Sequence, residues 1–222
     1  MIKPANNLVV YTAVFGAYDV LRDPLTVQAG VRYVCFSDRP QPQTNIWEIV
    51  IDEKLATSNA RAARYRKIRP DVFLPDANYS LWLDANISFR GPNLVQLIQT
   101  FLPKYDLALF DHAERICVYR EAEAVLALRK EFPSNVHKQT QAYRAEGYPK
   151  NNGLCETGVM LRRHTAALHE FNRFWWEELV KWTHRDQLSF NYACWKTGMR
   201  YATIPGSARG NRCPWLTYSP HG

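Results

Sequence analysis

Leu8-Val-Val-Tyr-Thr-Ala-Val-Phe15, closed by Gly16, is a continuous apolar run. That is how a strand of a parallel sheet reads when both its faces are covered. Val31–Phe36 repeats the theme and is stopped by Ser37-Asp38-Arg39-Pro40. Trp47–Ile51 alternates like a third strand, and Ser58–Arg69, free of Gly and Pro, predicts a helix capped by Ser58 or Asn59. Further along, Leu81-Trp-Leu83, Leu107–Phe110 and Gly158–Arg162 read as strands. Asn93–Phe101, Glu121–Phe132, Val136–Glu146, Thr165–Trp182 and Asp186–Trp195 read as helices. From Pro205 the chain turns irregular, broken by Gly206, Gly210, Pro214 and Pro220. Strands alternating with helices predict an α/β domain around a mostly parallel sheet flanked by helices. With no repeat or linker, residues 1–222 read as one domain.

Composition narrows the class. Of 222 residues, 46% are hydrophobic and 22% charged, which excludes a mainly disordered, collagenous or coiled-coil protein. A net charge of +7 points to an anionic partner: a nucleotide, a nucleic acid or a membrane surface. No signal-like segment and no membrane-spanning apolar stretch is read, so the expectation is a soluble, cytoplasmic protein. Five dispersed cysteines without a CxxC pair predict reduced, mostly buried thiols, with Cys155 singled out by its neighbours. Phe171, Trp175, Leu179 and Trp182 follow helical spacing and predict core, with Trp176 off that stripe and exposed.

Ligands of open α/β sheets sit outside the carboxyl ends of the strands. There the sequence places Asp84-Ala-Asn86, after a buried strand. Two oxygen donors at i and i+2 of an extended segment share a side and suit a hard divalent cation completed by phosphate oxygens. The same residues also suit a plain turn. Arg61, Arg64 and Lys67 fall within an arc of about 120° on a helix, a cationic face for a diphosphate or simply for solvent. Only Tyr65 interleaves this basic run, so nucleic acid is not the expected partner. Glu156, in the loop before a strand, suits an acceptor-orienting carboxylate or base, or an ordinary loop residue. Asp186 suits a helix N-cap, or a carboxylate projected into a cleft.

Tyr11-Thr-Ala-Val-Phe-Gly-Ala-Tyr-Asp19, Tyr33-Val-Cys-Phe-Ser-Asp38, Ser80-Leu-Trp-Leu-Asp-Ala-Asn-Ile87 and Arg185-Asp-Gln-Leu-Ser-Phe190 occur in that order. Together they resemble the glycosyltransferase-like family that includes plant mucilage-related proteins. More distantly they are similar to GT-A glycosyltransferases of the glycogenin and galactosyltransferase type.

The resemblance implies a GT-A, Rossmann-like fold. Its nucleotide-binding part spans about residues 8–110, its acceptor-side part about 111–204, and its irregular tail 205–222. It implies that Thr12, Ala13 and Phe15 hold base and ribose, and that Asp38 contacts the base. Arg64 and Lys67 fall near the diphosphate or sugar, Asp84 and Asn86 match the DxD motif, and Glu156 and Gly158 fall on the acceptor side. Asp186 and Gln187 match the donor-sugar or catalytic position, and His221 matches a late metal ligand. The cofactor implied is Mn²⁺ or Mg²⁺. The activity implied is transfer of a sugar from a UDP-linked donor to a glycan or lipid-linked hydroxyl acceptor. Asn86 replaces the second acidic residue of the motif. That departure motivates the alternative of a non-catalytic nucleotide- or glycan-binding protein. The basic surface adds a third expectation, peripheral contact with anionic membrane.

Overall fold

The computed structural model describes residues 7–219, apart from 17–18, 53–57, 92 and 211. The chain runs β1 (Leu8–Val14), β2 (Arg32–Ser37), β3 (Glu48–Ile51), α1 (Asn59–Ile68), α2 (Pro70–Phe73), β4 (Tyr79–Leu83), β5 (Ile87–Phe89) and α3 (Leu94–Phe101). It continues with β6 (Leu107–Asp111), α4 (Val118–Ala127), α5 (Pro133–Ala145), β7 (Cys155–Arg163), α6 (Ala166–Lys181), α7 (Asp186–Thr197), β8 (Ala202–Ile204) and β9 (Leu216–Tyr218).

Seven strands form one sheet in the order β3-β2-β1-β4-β7-β6-β8. Its neighbours pair in parallel except at β7, which runs antiparallel to both β4 and β6. The expected mixed, mostly parallel sheet flanked by helices is therefore present. β1 is buried along its whole length because both its faces are covered. Leu8, Val10 and Val14 pack with Leu81, Leu83, Phe110 and the apolar face of α3. Val9, Tyr11 and Ala13 pack with Trp82, Met160 and helices α1, α6 and α7. A third cluster, centred on Tyr143 and Tyr192 stacked 3.6 Å apart, joins α4, α5 and α7.

Several elements depart from the sequence reading. The tail is not wholly irregular: β9 pairs antiparallel with β5, Ile87 opposite Tyr218. Turn residues around each short strand hid a pairing about 130 positions apart. The helix expected over 121–132 begins at Val118 and ends at Ala127, where Arg129 takes a left-handed backbone at φ 51°. Trp176 is half-buried rather than exposed, its ring 4.6 Å from that of Tyr65. Cys155 is fully buried, and desolvation pushes its thiol up to about 12, so it is not a reactive site. All five cysteines are free and buried. Among the described residues no helix is long and apolar enough to cross a membrane.

Candidate functional site

A cleft of about 720 Å³ opens at the carboxyl ends of β1 and β4 and the start of β7. Ala13, Phe15 and Gly16 leave β1 into it, Asp84 and Asn86 leave β4, and Glu156 and Gly158 open β7. One wall comes from α1 with Arg64, another from the start of α7 with Arg185, Asp186 and Gln187. The antiparallel β7 matters here, because it turns its first residues, not its last, towards the ligand side.

The floor is a network of opposite charges. Lys67, 1% exposed at its side chain, places Nζ 2.5 Å from Asp186 Oδ2 and 3.2 Å from Asp84 Oδ1. Arg64 Nε lies 3.3 Å from Asp186 Oδ1. The Thr157 hydroxyl donates to Asp186 Oδ2 at 3.0 Å, and Trp82 Nε1 donates to Asp84 Oδ1 at 2.8 Å. Burial alone would raise the Asp186 carboxyl, but Arg64 and Lys67 hold it well below the usual carboxylate range. Asp84 is likewise lowered against burial, by Lys67 and Arg64. Both carboxylates are ionised at any ordinary pH, and a base needs a pKa near the working pH. Asp186 is therefore shaped as a charge stabiliser. It is the first residue of α7, with Arg185 in the cap position, so its side chain is not the cap that sequence spacing suggests.

The α1 face is only partly as drawn from the helical wheel. Arg64 lines the cleft, Lys67 is spent between two carboxylates, and Arg61 is not among the lining residues. Arg66 pairs with Asp52, and Arg69 with Asp71 at 2.7 Å.

Asp84 and Asn86 do not lie in an extended segment. The Ile87 amide donates to the Asp84 carbonyl at 2.8 Å, closing a turn, so the i, i+2 argument fails although both residues line the cleft. Asn86 Nδ2 donates to the Ser219 carbonyl at 3.0 Å, and the Ser219 amide returns a bond to the Asn86 carbonyl at 2.9 Å. These bonds tie the turn to the tail. Gly158 lets the two strands close over it, since a Cβ there would lie 3.1 Å from Asp84 Oδ2.

The donor set fits a substrate-bridged cation. Asp84 Oδ2 has no partner among the described residues, and Asn86 keeps its amide oxygen. One carboxylate and a neutral oxygen suffice for Mg²⁺ or Mn²⁺ only when diphosphate oxygens and water complete the shell. Among the described residues no three His, Cys, Asp or Glu side chains gather into a preformed metal site. His221 lies outside the described residues.

Other expected site residues are placed as follows. Glu156 is buried and accepts from the Ser207 hydroxyl and, at 2.8 Å, from the Ala208 amide, so it anchors the tail. Asp38 accepts from the Gly16 amide at 2.9 Å and pairs with Arg39; it holds the rim after β1 rather than lining the cleft. Thr12 is buried within β1, its hydroxyl without a hydrogen-bond partner among the described residues. Gln187 donates to the Cys155 carbonyl at 3.1 Å. Sequence reasoning missed Thr157, Lys130, Arg185 and Arg209. Thr157 lay between two chosen residues, and the three cations come from elements whose convergence no local pattern encodes.

The sequence pattern of the TOD1/MUCI70 glycosyltransferase-like domain family matches residues 1–204. The chain is 27% identical over 218 residues to a protein named probable hexosyltransferase MUCI70 of Arabidopsis thaliana, covering 86% of this chain and 37% of the relative. It is 23% identical over 220 residues to one named alkaline ceramidase TOD1, also of Arabidopsis thaliana, covering 84% of this chain and 48% of that protein. It thus spans less than half the length of either. The crystal structure of mouse xyloside xylosyltransferase 1 in its apo form shares the fold at a TM-score of 0.50 and 12% identity, over 89% of this chain and 84% of that one.

Proposed function

The chain belongs to the TOD1/MUCI70 glycosyltransferase-like family, and from that premise we propose that it transfers a sugar from a nucleoside diphosphate donor, UDP-linked, to a hydroxyl of a glycan or lipid-linked glycan. The observation that carries this reading is the quartet Arg64, Lys67, Asp84 and Asp186 at the strand ends of one cleft.

The difficult event in glycosyl transfer is departure of the diphosphate as positive charge grows on the anomeric carbon. Arg64 faces the cleft and stabilises the leaving charge; one such preorganised contact is worth roughly 3 kcal/mol, or about 10² in rate. Asp186, held ionised, stabilises the anomeric carbon. Ala13 and Phe15 offer an apolar seat for the nucleoside, beside a rim fixed by Asp38 and Gly16. Asp84 and Asn86 would hold a Mn²⁺ or Mg²⁺ ion, which would supply further neutralisation of the leaving group.

Among the carboxylates the sequence proposed, none is poised as a base. Asp186 is clamped by two cations and Glu156 is consumed by the tail. This favours retention of anomeric configuration, with the acceptor proton passing to the departing phosphate oxygen.

Calorimetric titration of UDP with Mn²⁺ and then with EDTA tests the reading. Metal-strengthened binding, followed by hydrolysis of one UDP-sugar, is expected. Silence towards UDP, GDP and CDP overturns it and favours the glycan-binding alternative. Hydrolysis of ceramide without nucleotide binding would instead align the chain with its other relative.

A further inference from the structure

Three further cations from separate parts of the chain line the same cleft as the charge quartet. Lys130 follows α4, Arg185 precedes α7, and Arg209 lies in the segment between β8 and β9. Among the described residues none of the three makes an ion pair. Three neighbouring carboxylates are committed elsewhere. Glu131 Oε2 sits 2.6 Å from His184 Nδ1 and accepts the His184 amide at 3.0 Å. Glu121 lies 2.7 Å from Arg115 Nε, and Glu156 holds Ser207 and Ala208. Partial burial, and then the charges of Arg185 and Arg209, lower the Lys130 ammonium below the usual lysine range. Lys130 therefore feels both guanidiniums.

Like charges converging in a concave wall repel, and the wall focuses a positive field on whatever enters. Hydrogen-bonding forks of two guanidiniums and an ammonium match the oxygens of an anion. We propose that this wall binds a negatively charged group of the acceptor, so that the acceptor is an acidic glycan bearing carboxylate or sulfate. The proposal rests on the transferase reading for the donor that meets the quartet, and it names the chemistry of the acceptor.

The experiment compares the unmodified protein with the double variant Lys130→Gln/Arg209→Gln. Binding is measured for a uronic-acid hexasaccharide, a sulfated hexasaccharide, a neutral glucose hexasaccharide and inorganic phosphate, at low and high salt. UDP is titrated into both proteins. The expected result is binding of at least one acidic hexasaccharide about tenfold tighter than the neutral one, weakened by salt. The double variant loses about tenfold for that ligand, keeps UDP within twofold, and the rearranged pair Lys130→Arg/Arg209→Lys recovers most of the loss. Whichever acidic sugar responds tells carboxylate from sulfate. Equal binding of acidic and neutral sugars overturns the proposal. So does inorganic phosphate binding as tightly as the acidic sugar, or a double variant that loses UDP equally, which would assign the cations to the diphosphate. Tight acidic-glycan binding without UDP binding would keep this inference and sink the transferase reading.

Discussion

Lys67, Arg64, Asp84 and Asp186 neutralise one another beside the cleft, while Lys130, Arg185 and Arg209, which line the same cleft, make no ion pair among the described residues. Both groups set cations beside the same cavity, yet those cations do different work. Within the quartet the charges hold each other in place and fix two carboxylates in their ionised form. Around Lys130, Arg185 and Arg209 the positive charge is left for a ligand. The contrast separates residues whose loss should be felt in the folded state from residues whose loss should be felt only on binding.

The strongest way to break that contrast is Lys67→Ala. It leaves the buried Asp186 and the half-buried Asp84 without the cation between them, and removing one partner of a buried pair such as Lys67–Asp186 costs about 3–5 kcal/mol. Urea unfolding measures it; a loss below about 1 kcal/mol would mean that the quartet does not brace the fold.

Acidity sharpens the same point. The folded Asp186 value lies below its ordinary 3.8, so its pairing contributes stability above that pH and loses it as pH falls towards the folded value. The stability gap between the unmodified protein and Asp186→Asn should stay constant from about pH 8 to pH 5 and narrow below about pH 4. A gap that instead opens on acidification would contradict the ionised, paired state.

A smaller effect is expected from Gly16→Ala at the rim. Gly16 has φ +71°, and a Cβ there would lie 1.9 Å from Asn59 Nδ2. Left-handed backbone costs a residue with Cβ roughly 1–2 kcal/mol, and UDP binding should weaken with the displaced rim. Thermal unfolding beside UDP titration reads both.

The smallest effect belongs to the unpaired group. Lys130→Gln should change unfolding free energy by no more than about 0.5 kcal/mol, because no protein partner is lost. A large destabilisation would show that the two groups are not different in kind.

The strand core was legible because apolar runs carry their own burial pattern. The runs expected at Leu8–Phe15 and Leu81–Leu83 correspond to β1 (Leu8–Val14) and β4 (Tyr79–Leu83), and Ser58 does cap α1, accepting from the Arg61 amide. The Asp84–Asn86 segment was legible as a strand end but not as a turn, because turn and extended loop share the same residue types. β9 was illegible: three residues among Gly and Pro carry no period, and their partner β5 is distant in sequence. Lys67 was read as one of three cations on a helix face, since no helical wheel shows that β4 and α7 set carboxylates on either side of it.

The sequence by itself determined the α/β architecture, the place of Asp84 and Asn86 after a buried strand, and the basic character of α1. Each follows from nearest-neighbour physics: side-chain periodicity, backbone propensity and local charge. Tertiary structure alone decided that Lys67 is spent between Asp84 and Asp186, that Glu156 holds the tail, and that Lys130, Arg185 and Arg209 line one cleft. Those facts depend on which distant segments the antiparallel β7 and the β5–β9 pair bring together. A charge is free or paired only in relation to groups that chain order does not place beside it.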